Sequence, residues 1–269
     1  MQKARIEEGE HYKDQLKKNR HILNTLVVKN FKSQYRNSIL GALWTVLHPL
    51  LNMIVLAFVF SSLFGNRQGV GIYPVYLMCG NTIFGMMRQI TSQSLTSMVN
   101  NAGLIKKVRV SYNVFPLASM FNGLVNFATS FIALIIVMLV VGQEFHWTIV
   151  MTITIVPAVL MFSLGIGYVL ATLFVYFRDV KHLYEVFLTL WMYLTPMFYT
   201  VDMLNNQTIE NVINWNPMTD FITGFRQMIQ WGTLPTAKDY LIYYGWGVIM
   251  LAIGLFVFNS KKKKYILYI

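Results

Sequence analysis

Residues 31–51 read FKSQYRNSILGALWTVLHPLL and change character at their middle. Lys32 and Arg36 stand in front of Leu40, and from there to Phe64 the chain holds no charged residue and few polar ones. A helix crosses a bilayer with about 20 mostly apolar residues. The passage therefore marks where a polar head gives way to a first membrane span, with two cations at its boundary.

The rest of the composition agrees. Of 269 residues, 55% are hydrophobic and 12% charged, against about 25% charged in ordinary soluble domains. The mean hydropathy is +0.49. A net charge of +11 elsewhere suggests nucleic acid. Here the cations cluster beside apolar spans, where they act as topology signals and contacts to anionic lipid, so no nucleic-acid partner is expected. The single cysteine, Cys79, cannot form an intrachain disulfide. It reads as a packing residue. The first 38 residues are polar, with nine Lys or Arg and four Asp or Glu, which is unlike a cleavable signal peptide.

The predicted class is an all-α integral membrane protein with six transmembrane helices. They run at about 39–64, 73–99, 115–141, 148–177, 183–201 and 240–258, within a membrane domain of 39–260. Arg88 and a polar run from Thr91 to Ser97 occupy the second half of the second span. Pro157 is a candidate kink in the fourth. Of the Lys and Arg residues, 18 fall on the side of the termini and three, Arg67, Arg226 and Lys238, on the other. The positive-inside rule then predicts cytosolic termini, with 1–38 as a cytosolic head and 261–269 as a basic cytosolic tail.

Two segments are amphipathic without spanning. Leu23, Leu26, Val27, Phe31 and Tyr35 share one helical face, with Lys29, Lys32 and Arg36 on the other. That pattern predicts a helix lying in the interface plane, as an anchor or as a gate. Between the last two spans, 208–232 is too apolar for a free loop. Pro217 and Thr219 lead into a helical pattern of Phe221, Ile222, Phe225, Met228 and Ile229 that Gly232 and Pro235 close. At about 13 residues it is too short to cross and should be re-entrant or lie flat. Re-entrant backbone survives only inside protein or beside water, which points to a pathway.

No catalytic constellation emerges. The five histidines lack metal-ligand spacing, and no GxxxxGK[ST] loop is present to cradle ATP phosphates. Intramembrane charge is limited to Arg88 and, near a cytosolic end, Glu185. That disfavours proton coupling and favours an external motor.

Five stretches, YRNSILGALWTVLHPLLNMIVLAFVFSSLFG, NNAGLIKKVRVSYNVFPLA, LFVYFRDVKHL, LTPMFY and NPMT, occur in this order. Together they resemble the membrane subunits of polysaccharide-exporting ABC transporters, which move lipid-linked O-antigen, teichoic acid and capsule-like polymers. The resemblance covers nearly the whole chain. It implies a permease rather than an enzyme, in the bacterial cytoplasmic membrane. It also implies a homodimer with two copies of a separate ATPase that binds ATP and Mg, so this chain itself needs no cofactor. Drug or lipid permeases of the same architecture, and a membrane enzyme of glycan assembly, are the alternatives.

The resemblance assigns ATPase docking to the short helix after the second span, with Asn101, Leu104, Ile105, Lys106 and Lys107 as contacts. Serine stands at 111 where many relatives have proline. Arg178 and Asp179 form a second cytosolic contact or a structural clasp. Lys29, Lys32 and Arg36 would admit the substrate's pyrophosphate head. Trp44, Trp191, Tyr193, Phe198, Tyr199, Phe221 and Phe225 would stack on sugar rings along a polymer path, although aromatic belts at the interfaces also explain such residues. Arg88 faces either a cavity on this path or the outer interface.

Overall fold

The computed structural model describes residues 17–30, 41–64, 71–108, 110–201 and 206–269. Every regular element among them is helical. Residues 17–30 form α1. A short 3-10 turn, Gly41–Leu43, then leads into α2, Trp44–Phe64. After these come α3 (Tyr73–Asn100), the short α4 (Ala102–Lys107) and α5 (Val114–Val141). A 3-10 segment, Trp147–Thr154, turns into α6, Val156–Tyr176. Then follow α7 (Val180–Leu194), α8 (Gln207–Asn214), α9 (Pro217–Gln230), α10 (Ala237–Lys261) and a terminal turn, α11 (Tyr265–Tyr268).

Among the described residues three helices are long and apolar enough to cross a membrane: Val114–Val141, Trp147–Tyr176 and Ala237–Lys261. α3 has 28 residues, about 42 Å at 1.5 Å per residue, but carries the polar run noted above. Pro157 does not kink the interior of the fourth helix. It sits in the first turn of α6, where its missing N–H is harmless, and the change from 3-10 to α geometry falls just before it. The fifth helix is shorter than 183–201. It stops at Leu194 because Thr195, which precedes Pro196, takes an extended conformation with φ −99° and ψ 132°.

The main core lies where α3 packs on α5 and α6, through Ile83, Met87 and Ile90 of α3, Leu134 and Val137 of α5, and Val159 and Phe162 of α6. A second core closes one end of the bundle. There Leu26 of α1, Ile105 of α4, Phe115 of α5, Tyr168 and Ala171 of α6, and Phe258 and Tyr265 of the C-terminal segment meet. The 261–269 segment is therefore not a free tail. Tyr265 is fully buried, shares a 2.8 Å hydroxyl hydrogen bond with Thr172, and donates to the carbonyl of Phe258.

α6 and α10 approach closely because glycine faces backbone. A Cβ added at Gly254 would collide with the carbonyl of Gly165, and one at Gly165 with the carbonyl of Met250. Small residues are how helices without a hydrophobic drive in lipid come near enough to pack. Gly254→Leu is expected to push the two helices apart and cost roughly 1–3 kcal/mol by overpacking, read as a lower melting temperature of the detergent-solubilised protein. An unchanged melting temperature would show that the contact is dispensable.

Candidate functional site

α3 has an unusual outer surface. Its buried side is mostly apolar, with Thr82, Thr91, Ser94 and Ser97 among it. Arg88 and Asn100 are exposed, and Pro74, Asn81, Gly85, Gln89, Ser92, Gln93, Thr96 and Val99 are half-buried. Spacings of three and four put Asn81, Gly85, Arg88, Ser92 and Thr96 on one stripe of the helix. Arg88 is exposed near the middle of α3, about 22 Å from the start of the helix. Its side chain lies on the same stripe.

At its C-terminal end the stripe runs into a cavity of about 310 Å³. Asn30 of α1, Gln93, Thr96, Ser97 and Asn100 of α3, and Ser119 of α5 contribute its polar lining. These are amides and hydroxyls without formal charge. Such a wall both donates and accepts, and so suits a ligand rich in hydroxyl groups.

α7 adds a second stripe. Lys181, Glu185, Thr189 and Tyr193 recur every fourth residue and are all exposed, Tyr193 at 60%. The inner face of α7 is fixed to α3 by the Tyr184 hydroxyl, which donates to Thr91 Oγ1 at 2.7 Å. The two polar stripes thus belong to neighbouring helices.

Beyond α7 the chain is irregular and its carbonyls need donors. Asn216 Nδ2 donates to the Leu194 carbonyl and to Thr195 Oγ1, while its Oδ1 accepts from Trp191 Nε1 and caps α9 at Met218 N. Arg226 is 2% exposed. Its guanidinium donates to the carbonyls of Tyr76, Pro196 and Met197 and stacks 3.4 Å from the Tyr76 ring centroid. Tyr73 OH donates to Phe198 O, and Tyr76 OH to Tyr199 O. Arg226 was counted in the sequence only as a loop cation. Its position four residues after Ile222 and three before Ile229, on the apolar face of α9, was the available sign.

The aromatic residues divide. Trp44, 36% exposed, and Tyr193 are open to the surroundings, and Trp191, Phe198 and Tyr199 are half-buried. Phe221 and Phe225 must be corrected. Both are fully buried, Phe221 against Phe162 and Tyr243, Phe225 against Phe127 and Phe131. They are the inner face of α9 and line no open path in this protomer.

At the other end of the bundle α4 also needs a correction. Ile105 is 7% exposed and points into the second core, so it is not available to a docking partner. A six-residue helix has one inward face, and Ile105 occupies it. Lys106 and Lys107 are exposed, Leu104 is half-buried, and Asn101 joins α3 to α4 with its Nδ2 on the Ser97 carbonyl. Arg178 donates to the Tyr268 carbonyl and lies 5.1 Å from the Phe174 ring centroid, clasping the C-terminal segment, while Asp179 is exposed. Lys29 is exposed on α1. Lys32 and Arg36 lie outside the described residues.

The profile of a family described as ABC-2 type transporter matches residues 22–229. An O-antigen export system permease protein, RfbA, of Myxococcus xanthus is 27% identical over 247 residues, covering 91% of this chain and 94% of that protein. A protein of the same description from Klebsiella pneumoniae is 28% identical over 251 residues, covering 91% and 95%. The polysialic acid transport protein KpsM of Escherichia coli is 18% identical over 244 residues, covering 90% and 93%.

Arg226→Lys keeps the charge but loses the planar fork that reaches three carbonyls at once. It is expected to destabilise the detergent-solubilised protein by on the order of 3 kcal/mol, seen as a fall of the melting temperature. A variant as stable as wild type would show that the carbonyls find other donors.

Proposed function

The chain belongs to the ABC-2 type transporters, and from that premise we propose that it is the membrane permease of an ATP-driven exporter. Its cargo is a lipid-linked polysaccharide, of O-antigen type or related, moved across the bacterial cytoplasmic membrane; the relatives named for O-antigen and polysialic acid transport support this reading. ATP and Mg are bound on a separate ATPase, two copies of which pair with two copies of this chain. Six crossings, made by α2, α3, α5, α6, α7 with the irregular segment after it, and α10, leave both termini in the cytosol. α8 and α9 form the re-entrant element on the outer side.

The observation that carries the proposal is the polar surface, uncharged except for Arg88, that runs from the amide-lined cavity along α3. Lipid does not accept such a surface. A second copy facing it across a wet space does, and the exposed stripe of α7 widens that space. A sliding glycan exchanges hydrogen bonds with amides and hydroxyls, while Trp44 and Tyr193 offer apolar faces to sugar rings. An apolar drug finds no such match, which favours the polymer over the drug-permease reading. The pyrophosphate head enters beside α1 at Lys29, Lys32 and Arg36, and Arg88 meets anionic groups further along. The ATPase docks on the open side of α4, with Leu104, Lys106 and Lys107 as the contacts and Asn101 setting the angle; Arg178 and Asp179 form a second contact next to the C-terminal clasp.

Two measurements test this. Ser92→Leu with Thr96→Leu, made where the stripe meets the cavity, is expected to lower surface polymer at least about tenfold in cells lacking their own permease, with ATPase association kept; undiminished export would remove the stripe from the path. Lys106→Glu with Lys107→Glu is expected to abolish co-purification of the ATPase, whereas Lys238→Glu is not. Co-purification unaffected by the α4 variant would refute docking there.

A further inference from the structure

Beside α4 lies a larger cavity, about 660 Å³, separate from the amide-lined one. Lys18 comes to it from α1, Lys106 and Lys107 from α4, and Lys262 from the C-terminal segment. Asn19, Ser111 and Tyr112 add polar groups, and Ile105, Val108, Val110 and Ile266 the apolar wall; among the described residues no acidic side chain lines it. The positive-inside rule accounts for lysines on this side of a membrane but not for their convergence from three distant parts of the chain on one hollow. The second core brings the three segments together, since Leu26, Ile105 and Tyr265 are neighbours in it. The amide of Ser111 is also tied to Asn19 Oδ1 at 3.4 Å. The arrangement is thus a product of the fold.

A cleft walled by one sign of charge concentrates the field and gathers counter-ions. Four ammonium groups, each with three rotatable donors, match the oxygens of phosphate without demanding one orientation. Volume sets the size of the guest. A water takes about 30 Å³ in the liquid, so two linked phosphate groups and their hydration fit. Basic pockets on the cytosolic side of helix bundles hold the head groups of multiply charged lipids by this means.

We infer that the cavity between α1, α4 and the C-terminal segment binds an anion bearing two phosphate groups, either the head of a lipid in the adjacent leaflet or free pyrophosphate. The site would couple α1, the docking helix and the C-terminus through one bound anion. The inference shares Lys106 and Lys107 with the docking face of α4 but uses no residue of the α3 stripe.

The test uses Lys18→Gln with Lys262→Gln, two residues outside both the α3 stripe and the α4 docking face. Inorganic pyrophosphate, compared with potassium chloride at equal ionic strength, is titrated into the full-length protein in detergent while its melting temperature is followed. In parallel, the protein is placed in phosphatidylcholine nanodiscs with and without cardiolipin. Stabilisation of wild type by pyrophosphate that weakens about tenfold in the variant assigns a free-phosphate site. Stabilisation by cardiolipin alone, weakened in the variant, assigns a lipid site. If wild type and variant respond alike to both probes, the inference is overturned. It is equally overturned if both bind the probes alike but the variant no longer retains the ATPase, since the cavity then serves an acidic protein surface. Should the double variant not fold, Lys18→Gln alone, at an exposed position of α1, must still weaken the response.

Discussion

Six consecutive carbonyls, from Leu194 to Tyr199, lie where the chain leaves α7 and cannot bond along a helix. In a region that excludes water each would cost free energy on the order of a lost hydrogen bond. Every one has a donor. Asn216 takes Leu194, the Met197 amide takes Thr195, Arg226 takes Pro196 and Met197, Tyr73 takes Phe198, and Tyr76 takes Tyr199. Apart from the Met197 amide the donors come from α9, its N-cap Asn216 and the start of α3, so satisfying the break in α7 also fixes where α9 sits. Arg226 is buried here with carbonyl oxygens and a ring as its partners, and this raises its importance, because a cation without them would not remain at that depth.

With α9 held over the start of α3, the first turns of α3 are covered and its stripe begins only at Asn81. Further along, the polar run continues uncovered until α1 crosses it at the amide-lined cavity. The same constraint that demands donors for the irregular segment after α7 opposes this stripe facing lipid. One end of α3 is therefore a closed structural joint, and the rest presents a partly open polar surface. The glycine contacts of α6 with α10 lie elsewhere in the bundle and give it a rigid back.

Long apolar runs and their cationic flanks were legible in the sequence. The ends observed for α3 and α5 differ by one residue from the expected 73–99 and 115–141. Pro196 was in plain view, yet a run as apolar as 183–201 reads as one helix because hydropathy does not register an extended residue ahead of proline. Burial was the least legible property. In a soluble helix the apolar side is the inner one, but in a membrane apolar side chains face both lipid and core, and periodicity no longer tells them apart. Phe221, Phe225 and Ile105 fall on the inner side, although their apolar character fits an exposed contact equally well. The 15 residues of α7 show the difficulty most clearly: Tyr184 and Leu188 are buried, while Leu183, Val186 and Leu190 of equal apolarity are exposed.

The polar residues were the better guide to function for the same reason. A leucine on the outside of this protein is neutral, whereas Asn81, Arg88, Ser92 and Thr96 on the outside carry a cost unless something polar covers them. One protomer exposes Arg88 and covers the other three only in part, on a helix 28 residues long. Their cost falls only if water or a second polar surface lies opposite, and two copies related by a twofold axis along the bundle would turn the same stripe toward itself. A space between two such stripes would be walled by amides and hydroxyls, with an Arg88 from each copy.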